Sequence, residues 1–104
     1  MNIILKGIAA SSGLAKGKVK IYSKGASYFK GDILIAKNTT PEMCVEILGS
    51  EAVITENGGL LSHAAIFCRE IKKTCIVGVK GLFDELKDGD SVLVDGDNGK
   101  IEKI

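Results

Sequence analysis

The sequence has no long hydrophobic run. No window approaches the roughly 18 consecutive apolar residues of a transmembrane helix. The opening segment 1–13 is short and interrupted by Lys6, so we do not expect it to be a signal peptide. The chain also has no large excess of charge of either sign, because 14 Lys and Arg balance 13 Asp and Glu. The longest basic block is Lys72–Lys73, which leaves no electrostatic footprint for a nucleic acid or a membrane surface. We therefore expect a cytoplasmic protein with neither of these as a partner.

Cysteine and histidine are scarce. The three cysteines, Cys44, Cys68 and Cys75, are odd in number and lack CxxC spacing, so neither a disulfide framework nor a zinc ribbon is indicated. A metal site formed by these thiols and His63 is an alternative, but the spacings fit no tetrahedral pattern. We expect buried free thiols and no metal ligands.

Glycine, in contrast, is abundant. The chain has 13 glycines among 104 residues, above the average of roughly 7% and typical of a backbone with tight turns. A chain of this length can bury a single hydrophobic core without disulfide bonds or a structural metal ion. With no internal repeat or linker, we predict one domain over residues 1–104, a single compact α/β unit.

The order of apolar runs and turn residues predicts six or seven strands and two or three short helices. The strands are expected at 17–22, 32–37 (buried on both faces), 52–55, 75–79, 91–95 and 100–104, the last two joined by a hairpin turn at 95–99. A first helix is expected from Pro41 to Gly49, with Thr40 as its N-cap. A second is expected after Ser62, with a buried stripe of Ala64, Phe67, Cys68 and Ile71. A short helical turn is expected over 81–86.

His63 is the one histidine, and it would be the first residue of the helix capped by Ser62, directly after the glycine-rich turn Glu56–Gly59. It lies about 90° around the helix from the buried stripe, so its ring is expected to reach solvent. Helix N-termini offer free N–H groups and a positive dipole end, which favour a bound dianion over a second positive charge. These features suit a histidine that accepts a phosphoryl group, with the backbone at Gly58 and Gly59 holding its oxygens. A surface or capping histidine without chemistry fits the same spacing.

The segment Thr55–Arg69, TENGGLLSHAAIFCR, resembles the phosphohistidine motif of the mobile, or swivelling, domain of phosphoenolpyruvate-utilising enzymes. This family includes pyruvate phosphate dikinase, phosphoenolpyruvate synthase and enzyme I of the sugar phosphotransferase system. The resemblance extends over almost the whole chain, through 7–13, 35–43, 76–78 and 92–96. It implies the swivelling β/β/α fold.

Carried over position by position, the resemblance implies that His63 is the phosphorylated residue. Thr55, Gly58, Gly59 and Ser62 would support the phosphate, and Arg69 would close the motif. At i+6 Arg69 is not on the helix face of His63, so a phosphate contact rests on the motif alone, and an ion pair with an acid is an equal alternative. Leu61 departs from the family, because dikinases usually carry there a threonine that regulatory proteins phosphorylate.

The chain is too short for the other parts of such an enzyme. In the resembled family the nucleotide site lies on an ATP-grasp domain and the phosphoenolpyruvate/pyruvate site on a barrel domain. We therefore expect no cofactor on this domain, with magnesium and ATP or phosphoenolpyruvate bound by partner domains or proteins. His63 would relay phosphate between these sites, as a phosphotransferase component that is not a complete catalyst alone. The alternative is a docking or regulatory module that is never phosphorylated.

Overall fold

The computed structural model describes residues 3–104. Met1 and Asn2, which open the segment considered above as a signal peptide, lie outside the described residues. The described part forms eight strands: β1 (Ile4–Lys6), β2 (Ile8–Ser11), β3 (Leu14–Ile21), β4 (Asp32–Ala36), β5 (Ala52–Thr55), β6 (Thr74–Val77), β7 (Ser91–Asp95) and β8 (Lys100–Lys103). Its three α-helices are α1 (Cys44–Gly49), α2 (His63–Glu70) and α3 (Leu82–Glu85). None of these helices is long and apolar enough to cross a membrane.

The strands form one mixed sheet in the order β1-β8-β7-β3-β4-β5-β6-β2. The four strands from β3 to β6 are mutually parallel, whereas the remaining pairs are antiparallel. In a parallel block the carboxyl ends of all strands meet at one edge. The loops that follow β4 and β5 therefore leave the sheet side by side, and the single histidine lies at this edge.

The two outermost strands, β1 and β2, are consecutive in the chain and separated only by Gly7. The sheet must therefore curl until its two edges meet. Gly7 donates its N–H to the carbonyl of Gly99 at 2.9 Å. A Cβ atom at position 7 would lie 2.6 Å from Val79 Cγ2 and 2.7 Å from the carbonyl oxygen of Val77. Only glycine fits where the edges close.

The core has two parts, one on each face of the sheet. Ile33, Ile35 and Ile54 point into the curl, together with Leu82 and other apolar side chains. Leu34 of β4 points the other way and packs beneath α1 and α2, in a cluster that includes Ile47, Val53 and Cys68. The prediction that the strand at 32–37 is buried on both faces is therefore confirmed, as is the predicted α/β class.

Most predicted elements are confirmed, with shifts at their ends. The strand predicted at 17–22 begins earlier, at Leu14, and the one predicted at 75–79 runs from Thr74 to Val77. Gly78, with φ of +68°, ends that strand because a left-handed backbone cannot continue it. The hairpin between β7 and β8 forms with Asp95 opposite Lys100, as its turn residues predict.

The first helical segment starts as predicted, with Thr40 at the N-cap position and Pro41 directly after it, although the Thr40 side chain makes no capping hydrogen bond. Its first turn is a tight 3-10 turn over Pro41–Met43, in which the Met43 N–H donates to the carbonyl of Thr40 at 2.9 Å. Met43 and Ile47, which are four residues apart, are buried, whereas Leu48 is 56% exposed.

Candidate functional site

The loop between β5 and α2 is built around Ser62. Ser62 has extended backbone angles, and its Oγ accepts a hydrogen bond from the Ala65 N–H at 3.4 Å, so it is the N-cap of α2 as predicted. The same hydroxyl donates to the carbonyl of Gly59 at 2.7 Å, and the Ser62 N–H donates to that carbonyl at 3.1 Å. This serine therefore ties the glycine turn to the start of the helix that carries His63.

The glycines of this loop differ in what they require. Gly58 has φ of +114°, and a Cβ atom there would lie 3.1 Å from both Cβ and Oγ of Ser62. Gly59 has no left-handed φ, and nothing lies within 4 Å of where its Cβ would be. The backbone therefore demands glycine at 58 but not at 59.

Thr55 anchors the other end of the loop. It is the last residue of β5, is 1% exposed and donates its Oγ1 to the carbonyl of Asn57 at 2.6 Å. The Thr55 carbonyl accepts from the Val79 N–H at 3.1 Å. The hydroxyl of Thr55 is therefore used to form the turn.

His63 is half-buried at the first position of α2. Its Nδ1 lies 2.9 Å from Oγ1 of Thr39, a hydrogen bond in which the ring nitrogen donates or accepts according to the tautomer. Its ring is also stacked on the ring of Phe67, one turn along the helix, with centroids 5.6 Å apart and planes 8° apart. Two contacts from different directions thus hold the imidazole in one orientation.

A small cavity of about 60 Å³ opens beside the imidazole. It is lined by Asn38, Thr39, Thr55, Asn57, Gly58, Ser62, His63 and Ala64. Four of the predicted site residues, Thr55, Gly58, Ser62 and His63, are thereby brought together. Gly59 stays outside the lining and contributes through its carbonyl to the Ser62 cap. No carboxylate lines the cavity.

Arg69 lies elsewhere. Its guanidinium donates to the carbonyl of Ala10 at 3.2 Å and to that of Leu60 at 2.6 Å, which joins β2 to the glycine loop. Within residues 3–104 it is paired with no carboxylate, so the alternative of an ion pair is not what the structure shows. It lines a separate cleft with Lys72 and the serines of the 10–12 segment. Its observed contacts make it a brace of the loop.

The three cysteines are free thiols in the structure. Cys68 and Cys75 are fully buried and Cys44 partly so, all as free thiols. The hydrogen bond with Cys68 and, to a smaller extent, burial raise the pKa of the Cys75 thiol, which stays protonated at neutral pH. Residues 3–104 contain no group of three or more His, Cys, Asp and Glu side chains placed to hold a metal ion.

The sequence did not predict Thr39 as a site residue or the contact of Phe67 with His63. Thr39 follows β4, the parallel neighbour of β5, so it was detectable as a polar residue at the shared carboxyl edge. Phe67, predicted in the buried stripe of α2, is half-buried and packs against the core cluster beneath the helix, and its ring also stacks on His63. Phe67 follows His63 by four residues, the spacing at which helical side chains meet.

A family model described as "PEP-utilising enzyme, mobile domain" matches residues 28–99. This chain belongs to that family. The resemblance found in the sequence is therefore confirmed, and the motif positions around His63 lie within the matched region of this mobile domain.

Relatives carry the same domain inside much longer proteins. The mobile domain is 44% identical over 101 residues to the uncharacterized phosphotransferase YvkC of Bacillus subtilis. The matched segment covers 94% of this chain and 12% of that protein. It is 43% identical over 102 residues to a probable phosphoenolpyruvate synthase of Archaeoglobus fulgidus, covering 95% of this chain and 14% of that protein. The chain thus spans about one eighth of the curated relatives it matches.

Solved structures share the fold. A solution structure of a UPF0107 protein superimposes with a TM-score of 0.75 at 17% identity, covering 98% of this chain and 99% of that one. The solution structure of Enzyme I (nEIt) gives a TM-score of 0.60 at 28% identity and covers 74% of this chain and 31% of that one. The fold therefore occurs both alone and as part of a longer chain.

Proposed function

We propose that this mobile domain is a phosphoryl carrier in which Nε2 of His63 is transiently phosphorylated. The observation that carries the proposal is the hydrogen bond between Thr39 Oγ1 and His63 Nδ1, made by a ring at the start of a helix and beside a glycine turn. It engages one ring nitrogen and leaves the other for chemistry.

The proposed tautomer has the proton on Nδ1, which donates to Thr39. Nε2 then keeps an unprotonated lone pair, the form of imidazole that acts as a nucleophile. In the transfer step a bond forms between Nε2 and the incoming phosphorus while the bond from phosphorus to the donor's oxygen breaks. The departing oxygen takes the bonding electron pair, and Nε2 has no proton to lose. The reverse step passes the phosphoryl group to an acceptor oxygen.

The start of α2 supplies partners for the phosphoryl oxygens. The first N–H groups of a helix have no intrahelical acceptor, and the Ala65 N–H is the one taken by Ser62. Within residues 3–104 the N–H groups of Gly58 and Gly59 donate to no protein acceptor. Together with the positive end of the helix dipole, these donors favour a dianion at His63. The lack of a carboxylate in the cavity lining removes a source of repulsion.

The stacking of His63 on Phe67 complements the hydrogen bond to Thr39. A parallel aromatic contact of this kind contributes on the order of 0.5–1.5 kcal/mol. Because it restrains rotation of the imidazole, it reduces the ordering needed when the donor arrives. Thr39 and Phe67 are therefore positioning residues for the nucleophile.

The donor and its cations belong, in this proposal, to other domains or proteins. A cavity of about 60 Å³ is far smaller than the roughly 300–1,000 Å³ of a small-molecule site, and its lining offers no carboxylate for magnesium. We propose an ATP-grasp nucleotide domain and a phosphoenolpyruvate/pyruvate barrel domain as the partners, in the cytoplasm. They would bind the magnesium and the nucleotide or phosphoenolpyruvate that drive the transfer.

The test is phosphate labelling of a chimera. The segment of the Bacillus subtilis relative that matches this chain is replaced by residues 1–104, and the chimera is incubated with ³²P-labelled ATP or phosphoenolpyruvate. We expect a label that survives base, is lost in acid and is absent from His63→Ala. An equal label on His63→Ala would contradict the assignment of His63. No label from either donor would favour the docking module that is never phosphorylated.

A further inference from the structure

The segment that carries His63 is uncharged, and three of its apolar side chains are exposed. The segment Asn57–Cys68 contains no Asp, Glu, Lys or Arg, although charged residues make up 26% of the chain. Within this segment Leu60 is 51% exposed, Leu61 86% and Ile66 41%. We call these three side chains the leucine patch. Charged residues would be expected on a surface that meets only water.

The three residues of the leucine patch flank the N-cap of α2 in the sequence. Leu61 directly precedes the N-cap Ser62, and Ile66 is the fourth helical residue, two positions that adjoin each other at the beginning of a helix. Leu60 is held in place by the hydrogen bond from Arg69 to its carbonyl. The patch is therefore presented on a braced loop.

We infer that the leucine patch docks against an uncharged, apolar-lined rim of the active-site cleft on the domain that exchanges phosphate with His63. The inference rests on the proposed function. For transfer, the donor phosphorus must approach Nε2 to roughly 3–3.5 Å. Leu61 is two residues from His63, at most about 7.6 Å along the backbone. A donor site that encloses His63 therefore comes close to Leu61.

The parts of the related proteins that lie outside the matched segment could supply such a rim. The matched relatives extend far beyond the segment this chain spans, so their mobile domain operates beside several times its own length of other protein. A rim with fixed charges would meet no counter-charge on Asn57–Cys68, and desolvating such charges without a partner is costly. An apolar rim gains from covering Leu60, Leu61 and Ile66.

The experiment compares Leu61→Ser with Leu14→Ser in the chimera. Leu14 is 65% exposed and begins β3 at the opposite end of the parallel strands, so it is a matched surface control. We expect Leu61→Ser to slow labelling of His63 by the chimera's own donor by about tenfold or more, while Leu14→Ser leaves it unchanged. Leu61→Met, which keeps the apolar surface, should transfer at nearly the original rate.

Phosphoramidate, a small phosphate donor that needs no docking, separates this inference from the proposed function. It should label Leu61→Ser and the unchanged chain equally. Transfer in the chimera should also change less than about twofold between roughly 0.05 and 0.5 M NaCl, because the segment Asn57–Cys68 carries no charge to steer the encounter. Equal transfer by Leu61→Ser and Leu14→Ser, or a strong salt dependence, would overturn the docking patch. A loss of phosphoramidate labelling in Leu61→Ser alone would overturn it too, since the leucine would then act on the ring. If no donor labels His63, the carrier function itself fails, and the patch with it.

Discussion

Thr39 and His63 are 24 residues apart in the chain, yet their side chains meet at 2.9 Å, Oγ1 to Nδ1. The contact exists because β4 and β5 are parallel neighbours whose following loops leave the same edge of the sheet. One loop carries the hydroxyl and the other leads to the helix that carries the imidazole. The fold, rather than local sequence, selects which ring nitrogen is free.

Removing the hydroxyl of Thr39 should weaken the carrier. We expect Thr39→Val to slow phosphorylation of His63 by about five- to tenfold, the rate equivalent of a hydrogen bond worth about 1 kcal/mol. Nitrogen-15 NMR of the ring should show a mixture of the two tautomers, whereas Thr39→Ser should keep one. An unchanged tautomer in Thr39→Val would show that this hydrogen bond does not set the ring.

The two adjacent glycines of the loop should respond differently to alanine. Gly58→Ala forces a side chain into a left-handed backbone next to Ser62, which costs on the order of 1–3 kcal/mol of stability. Gly59→Ala meets open space and should change the free energy of unfolding by less than about 0.5 kcal/mol. Urea denaturation of both variants measures this. Equal losses would mean that the turn is not shaped as described.

Arg69 should act as a brace of the loop and not as a phosphate ligand. Arg69→Lys cannot reach both carbonyls with one ammonium group, so we expect a loss of about 1 kcal/mol in stability. Hydrogen exchange at the amides of the 59–62 turn should become faster. The half-life of the phosphohistidine, once formed with phosphoramidate, should stay the same. A much shorter half-life would instead support the phosphate contact that the motif implies.

The β7–β8 hairpin should depend on acid through Asp95. A hydrogen bond from the Asn98 side chain, helped by the N–H groups of Asn98 and Asp97, holds the pKa of Asp95 below its usual value of 3.8. The ionised carboxylate therefore stabilises the fold above that value, and the contribution is lost as the pH falls through the lower, folded-state pKa. Asp95→Asn should lose less stability than the unchanged chain between about pH 6 and about pH 2.5, measured by urea midpoints. Identical pH profiles would show that the hairpin is insensitive to this charge.

The interior of the fold could be predicted from the sequence because its strands carry their own patterns. The run Ile33–Ala36 is apolar throughout and is buried on both faces, and Val92 and Val94 alternate with half-buried neighbours. Ser62 is a preferred N-cap residue and is used as one. In each of these cases local chemistry and tertiary structure agree.

Strands β1 and β2 could not be predicted in the same way. They are short, largely exposed edge strands whose partners, β8 and β6, are distant in the chain. Their positions follow from closure of the sheet at Gly7, which is a long-range event. No run of alternating residues marks it in advance.

The residues of the candidate site likewise divide into those predictable from local sequence and those set by long-range contacts. The motif located His63, Ser62 and Gly58, which lie within six residues of one another in the chain. Thr39 required knowledge of which strands are neighbours, and the contacts of Arg69 depend on β2. A residue's role therefore became predictable only where its partners were close in sequence.

The most direct measurement of the central claim is the position of the phosphate on the labelled chimera. Phosphorus-31 and nitrogen-15 NMR of the phosphorylated protein identify both the residue and the ring nitrogen that carries the group. The account predicts a single phosphohistidine at Nε2 of His63 that is missing from His63→Ala. A phosphate on Nδ1, or on any residue other than His63, would contradict it.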